Sequence, residues 1–385
     1  MTPSLIPYGR QWLNAADTRA VQRVLRSDFL TQGPVVGEFE KALAKKVGAR
    51  YTVAVANGTA ALHLAAIVLG LKKGDEVITT PISFLATANA ALYVGAKPVF
   101  VDIDPETQCI DPAKIEAKIT RRTQAIFFTD FAGHPAELKK IRAIADRHGL
   151  AVVEDSAHAL GSLFQGSRVG SCRYADMSIF SFHPVKHITT GEGGAITTQS
   201  RVHYERLCML RSHGVTRHPQ KLLDRHQGRW YYEMQDLGFN YRLTDIQAAL
   251  GLEQLKRLPD FVRRRREIAG MYRRAFQGLQ AFEIPVEKPK CLHAYHLFVI
   301  RLRGAYAAQR KEIFQALQER GIGVQVHYIP IPAQPYYRRL GYAPGDCPAA
   351  QAFYRSAISL PIYPKMTDAQ VRRVIRTVQA VCRLF

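Results

Sequence analysis

From residue 51 to residue 198, short β-branched and apolar runs alternate with segments of helical period. The runs at 52–56, 76–80, 98–103, 125–129, 150–154, 177–182 and 195–198 read as strands. Helical patterns at 60–71, 85–93, 112–119 and 135–148 fall between them. Such alternation predicts an α/β fold with a mostly parallel central sheet flanked by helices. In such sheets ligands gather at the carboxyl ends of the strands. Two further helices, 16–25 and 36–47, precede the sheet. Beyond Thr244 the pattern is helical at 245–258 and 261–277, with a break expected at Pro259. A strand at 295–302, a helix at 307–320 and a strand at 324–328 follow. After a proline-rich loop come helices at 349–357 and 368–383. The expected organisation is a large α/β domain over 1–255 and a smaller α+β domain over 256–385.

Several residues with chemical potential stand at the predicted strand ends. Asn57-Gly58-Thr59 lies between a strand and a helix, where free N–H groups and the helix dipole favour an anion. Plain helix capping by Thr59 explains the same residues. Glu154 and Asp155 close a buried strand, and a carboxylate there needs a cation or a proton donor. Periodicity alone does not choose between the two acids. Phe84 follows another strand end and would stack on a flat ligand or join the core. Ser181 stands five residues before Lys186, a lone lysine in an otherwise small and apolar stretch. Burial lowers an ammonium pKa and leaves a nucleophilic amine. Gly191, Gly193 and Gly194 then let the backbone turn close to a ligand.

Composition narrows the class. A hydrophobic fraction of 47% and a charged fraction of 22% are those of a soluble globular protein. No apolar run reaches membrane-span length, and no signal peptide is expected at the N-terminus. The six cysteines show no Cys-x-x-Cys spacing, so neither a zinc site nor a disulfide framework is expected, and a cytoplasmic location is. The formal charge of +21 raises nucleic-acid binding, an anionic substrate or a basic background as readings. The one dense basic run, Arg263-Arg264-Arg265-Arg266, reads as a solvated helix face. No nucleic-acid partner and no membrane are expected.

The order of these parts resembles fold-type I pyridoxal-phosphate enzymes, and more narrowly the DegT-type sugar aminotransferases. The resemblance rests on Asn57-Gly58-Thr59-Ala60-Ala61-Leu62, Glu154-Asp155, the segment from Phe180 to Lys186, Gly191-Glu192-Gly193-Gly194 and the segment from Gly238 to Ala249. It continues through His327-Tyr328 and Leu360-Pro361-Ile362-Tyr363-Pro364. It implies pyridoxal 5'-phosphate as cofactor, with Lys186 as the Schiff-base lysine and proton carrier, and Asp155 as partner of the pyridine nitrogen. It also implies that Phe84 stacks on the ring and that Gly58, Thr59 and Ser181 hold the phosphate. Asn240, with Arg242 nearby, would serve the neighbouring subunit of a homodimer with shared active sites. His158 stands where many members carry glutamine, close to the cofactor ring.

The segments Ile6-Pro7-Tyr8-Gly9, Asp28 to Pro34, Glu154 to Gly161, His183 to Thr190 and Gln325 to Pro330 resemble those of the C4 aminotransferases of pseudaminic-acid synthesis. They imply L-glutamate and a UDP-linked 2-acetamido-2,6-dideoxy-4-keto-hexose as substrates. Tyr8, Asp28, Phe29, Leu30, Thr31, His183, His327, Tyr328, Ile329 and Pro330 would line the sugar-nucleotide site. Rivals are amination at C3 or of another nucleotide-linked keto sugar, and a DNA-binding regulator that keeps the fold. Dehydratases of the family place His at the lysine position and rank low, because Lys186 is present.

Overall fold

The computed structural model describes residues 4–224 and 226–385. Seven strands build the central sheet: Tyr51–Val55 (β1), Glu76–Thr79 (β2), Lys97–Phe100 (β3), Thr123–Thr129 (β4), Ala151–Asp155 (β5), Met177–Ser181 (β6) and Gly194–Thr198 (β7). Their spatial order is β1-β7-β6-β5-β4-β2-β3. All neighbours pair in parallel except those of β7, which runs antiparallel to both β1 and β6. No helix lies between β6 and β7, so the chain doubles back instead of crossing over. The mostly parallel sheet expected from the alternation is therefore present, with one reversed strand.

The flanking helices are Ala15–Leu25 (α1), Pro34–Val47 (α2), Gly58–Val68 (α3), Ala86–Tyr93 (α4), Leu138–His148 (α5) and Arg201–Leu210 (α6). Helix α3 buries residues around most of its circumference, which fits an inner layer. The helix expected at 112–119 is instead two 3-10 turns, Pro112–Lys114 and Glu116–Lys118. The predicted strand at 324–328 is a single bridge, Gln325 to Ser359. The region at 307–320 is split into helices Gly304–Ala308 and Arg310–Glu319.

The break expected at Pro259 does not occur. Asp245–Phe276 (α7) is one helix of 32 residues with Pro259 inside it. The missing hydrogen bond is offset by burial on both sides of the proline. Leu255, Leu258, Phe261 and Val262 pack in one core with Phe180 and Phe182. Ile268, Ala269, Tyr272 and Phe276 pack in another core, that of the smaller lobe. Helix α7 thus runs unbroken through the expected 255/256 boundary, and the change of core falls between Val262 and Ile268. The smaller lobe holds an antiparallel sheet of Phe282–Glu283 (β8), Phe298–Leu302 (β9) and Ala357–Leu360 (β10). Strand β10 lies at the end of what reads in sequence as a helix; that helix stops at Ser356.

The arginine run is not a solvated face. Arg263 is exposed and pairs with Asp260 at 2.9 Å, while Arg264 meets Asp368 at 2.6 Å and Arg266 meets Glu287 at 2.6 Å. Arg265 is buried and meets only backbone: Nη1 donates to the carbonyls of Tyr295 (3.1 Å), His296 (3.1 Å) and Ile362 (2.8 Å). Burial alone lowers its pKa to about 9. Among the described residues no helix is long and apolar enough to cross a membrane. Replacing Arg265 with Met leaves three carbonyls without their donor, and charged hydrogen bonds contribute about 1.5–3 kcal/mol each. Urea unfolding should show a loss of about 3 kcal/mol or more; a wild-type midpoint would deny Arg265 this role.

Candidate active site

A cavity of about 450 Å³ opens where β1, β5 and β6 end. Its first wall is the turn after β1. Asn57 caps α3 by accepting the Ala60 N–H at 2.8 Å. The Gly58 and Thr59 N–H groups stand in the first turn and have no intrahelical acceptor. Both residues line the cavity, as does Ser181 at the end of β6. A Cβ at residue 58 would lie 3.1 Å from the Ser181 Cβ, and one at residue 194 would lie 2.4 Å from the Asn57 carbonyl carbon. Glycine is what lets these two chain segments close into a cradle.

The second wall is acidic. Alternation along β5 sends Glu154 and Asp155 to opposite faces. Asp155 faces the cavity and Glu154 does not. Glu154 accepts from the Ser178 hydroxyl and lies beside buried Asp130. Asp155 Oδ2 accepts from Thr87 Oγ1 at 2.6 Å, and its Oδ1 from the Ala157 N–H at 3.2 Å. Behind Thr87 lie Ser83 and Thr129, joined hydroxyl to hydroxyl at 2.7 Å. Burial raises the Asp155 pKa, opposed by the Thr87 and Ala157 bonds and by the Lys186 charge.

Lys186 lines the same cavity. Burial around its amine lowers its pKa to about 8, and the Asp155 charge opposes the fall. Four buried histidines surround it: His158, His187, His296 and His327. Burial is the first cause that lowers each of their pKa values, to about 4 for His327, and the Lys186 charge adds to it. They are therefore neutral near pH 7. His158 accepts the Ala132 N–H at Nδ1 (3.3 Å), its Nε2 meets the Tyr328 hydroxyl (3.2 Å), and its ring lies 4.4 Å from that of His296. Phe84 also lines the cavity and is 56% exposed, so its ring is a free face and not core.

Of the residues expected to meet the sugar nucleotide, Tyr8, His183, His327 and Tyr328 line this cavity. Asp28, Phe29, Leu30, Thr31, Ile329 and Pro330 do not. Asp28 and Phe29 border a separate groove with Val24 and Leu252. The Leu30 carbonyl accepts the Asp245 N–H at 3.0 Å, and Thr31 bridges Thr244. Asn240 and Arg242 also lie outside it; Asn240 is exposed and bridges Ser212, while Arg242 bridges Val55. Ser83, Thr129, Glu192 and His296 line the cavity without having been expected there. Ser83 and Thr129 stand at or just past strand ends, which was a usable signal. His296 comes from the smaller lobe and offers none.

The donor set fits pyridoxal phosphate. The cradle of N–H and hydroxyl groups suits its phosphate, the buried carboxylate suits a protonated ring nitrogen, and the buried amine suits its aldehyde. Residues 12–379 match the DegT/DnrJ/EryC1/StrS aminotransferase family. The chain belongs to that family. It is a sugar aminotransferase that uses pyridoxal phosphate.

Among its relatives, the Bacillus subtilis spore coat polysaccharide biosynthesis protein SpsC is 40% identical over 98% of this chain and 97% of its own. The Campylobacter jejuni UDP-4-amino-4,6-dideoxy-N-acetyl-beta-L-altrosamine transaminase is 38% identical over 94% of this chain and 93% of its own. Helicobacter pylori PseC, an aminotransferase of pseudoaminic acid biosynthesis, superposes with a TM-score of 0.92 at 35% identity, covering 99% of this chain and 100% of its own. A Streptococcus pneumoniae sugar aminotransferase solved in its pyridoxal-phosphate form also gives 0.92, at 32% identity over 99% of both chains.

Cofactor capture needs the Lys186 amine without its extra proton. The rate at which the apoprotein captures pyridoxal phosphate should rise with pH and level off above about 8. Asp155→Asn removes the charge that favours the ammonium, so the midpoint should move down. Stopped-flow absorbance across pH 6–10 measures both; a midpoint near that of free lysine would contradict this reading.

Proposed function

We propose that this aminotransferase moves the amino group of L-glutamate to the C4 keto group of a UDP-linked 2-acetamido-2,6-dideoxy-hexos-4-ulose. The product is the UDP-linked 4-amino-4,6-dideoxy sugar, with 2-oxoglutarate as co-product. The observation that carries the reading is the part of the cavity lining that lies outside the cradle, the acid and the lysine. Tyr8, His327 and Tyr328 offer hydroxyl and neutral imidazole groups beside apolar ring faces, the lining that suits a sugar. The C4 position and the UDP group follow the activity named for the Campylobacter relative.

Pyridoxal phosphate, when bound, supplies an aldehyde to carry the amino group and a ring to take up an electron pair. Lys186 would hold the aldehyde between turnovers. Once freed by an amino substrate, its amine would take the proton from the substrate carbon and return it on the other side of the exchange. Asp155 would keep the ring nitrogen protonated. The Gly58 and Thr59 N–H groups, with the Thr59 and Ser181 hydroxyls, hold the phosphate, and Phe84 covers the ring. Asn240 and Arg242 act in the cavity of a second copy, which their place outside their own cavity supports. The unpaired cysteines suit a reducing cytoplasm.

The test is incubation with ¹⁵N-labelled L-glutamate and a panel of nucleotide-linked 3-keto and 4-keto sugars, read by mass spectrometry. Label should enter the UDP-linked 4-keto sugar. Label confined to a 3-keto sugar or to another nucleotide would sink this assignment and leave the aminotransferase intact. Lys186→Ala should lose about 10³-fold or more in turnover, because one amine serves both attachment and proton transfer. Robust multiple turnover in that variant would contradict the scheme.

A further inference from the structure

Both ring nitrogens of His158 are engaged within the protein. The Ala132 N–H donates to Nδ1, which assigns the ring proton to Nε2. That Nε2–H then donates to the Tyr328 hydroxyl oxygen at 3.2 Å. His158 keeps no donor for a ligand. The Tyr328 hydroxyl has accepted one hydrogen bond, and its own hydrogen meets no acceptor in any hydrogen bond recorded among the described residues. Its ring is held edge-on by Phe84 and by Phe131, each at 6.4 Å between centroids.

The position matters as much as the bond. Along the sheet edge the cradle stands at β1 and β6, Asp155 at β5, and Ala132, which anchors His158, just past β4. In pyridoxal phosphate the phosphate arm and the ring oxygen flank the aldehyde carbon on opposite sides. With the phosphate in the cradle and the ring nitrogen on Asp155, the ring oxygen would face the β4 side. We propose that Tyr328, and not His158, donates the hydrogen bond to the ring oxygen of the cofactor, and that His158 is the positioning residue that aims the Tyr328 hydroxyl.

This rests on the cofactor reading of the cavity. It has a spectroscopic consequence. A donor to the ring oxygen competes with the protonated nitrogen that joins Lys186 to the cofactor, so it lowers the pH at which that nitrogen loses its proton. Tyr8, Asp155, His158, His183, Lys186, Glu192, His296 and His327 face the same space; a Tyr328→Phe protein keeps all of them and takes away only the acceptor of the His158 Nε2–H.

The experiment is an absorbance titration of the holoenzyme between pH 5 and 10, without substrate. Tyr328→Phe should move the midpoint of the visible band up by roughly 1–2 pH units, the size of one charge-assisted hydrogen bond. His158→Leu should move it in the same direction by less, and the double variant should match Tyr328→Phe. A wild-type midpoint in Tyr328→Phe, with or without a raised KM for the sugar nucleotide, overturns the proposal. So does the full shift appearing in His158→Leu alone. A wild-type protein that takes up no cofactor overturns the proposal and the cofactor reading together.

Discussion

The site depends on holding one amine and one carboxylate out of water at the same sheet edge. Burial pushes Lys186 and Asp155 toward their neutral forms, and each opposes that push on the other. Isolated, either group would be costly there. The fold meets the cost with donors and not with a second cation. Thr87 and the Ala157 N–H reach Asp155, and Ser83 and Thr129 stand behind Thr87. The four histidines around Lys186 contribute no charge near pH 7. A protonated imidazole at any of those positions would repel the ammonium and lower its pKa further. The amine is therefore tuned by one acid and by dryness.

Much of this was legible in the sequence because α/β alternation places strand ends at predictable points. Asp155, Ser181, Lys186 and Gly58 could be put at one edge before any coordinates. Periodicity did not choose between Glu154 and Asp155, since that turns on the phase of the pleat, which a buried apolar strand does not reveal; the family resemblance pointed to Asp155. Thr87 was invisible for a different reason. It lies inside α4, and its role appears only when α4 packs beside β5. His296 reaches the cavity from a lobe more than a hundred residues distant in the chain. Pro259 misled because its cost is local, whereas the burial that offsets it belongs to two separate cores. The strand Ala357–Leu360 was hidden by a helical pattern that ends one residue before it.

The basic balance also changes meaning once the arginines are located. In the run at 263–266, three side chains are paired with carboxylates and the fourth is buried on carbonyls. Carbonyl oxygens satisfy a guanidinium without cancelling its charge. Part of the excess of Lys and Arg over Asp and Glu is thus internal scaffolding, and net charge is a poor guide to a nucleic-acid partner here.

Arg265 also joins the two halves of the molecule to the site. It stands between the part of α7 that packs with Phe180 and Phe182 and the part that packs in the smaller lobe. Its guanidinium holds the carbonyls of Tyr295 and His296. The His296 ring lies against His158, and His158 meets the Tyr328 hydroxyl. His327, next in the chain, is tied to Ser359 of β10 at 2.8 Å. The smaller lobe therefore presents His296, His327 and Tyr328 to the cavity as a unit anchored at two points, one on α7 and one on its own sheet. The large domain supplies the cradle, the acid and the lysine. Because the anchors are backbone carbonyls and a buried hydroxyl, the geometry between the two sets is fixed by hydrogen bonds and does not rely on surface ion pairs, which salt would screen.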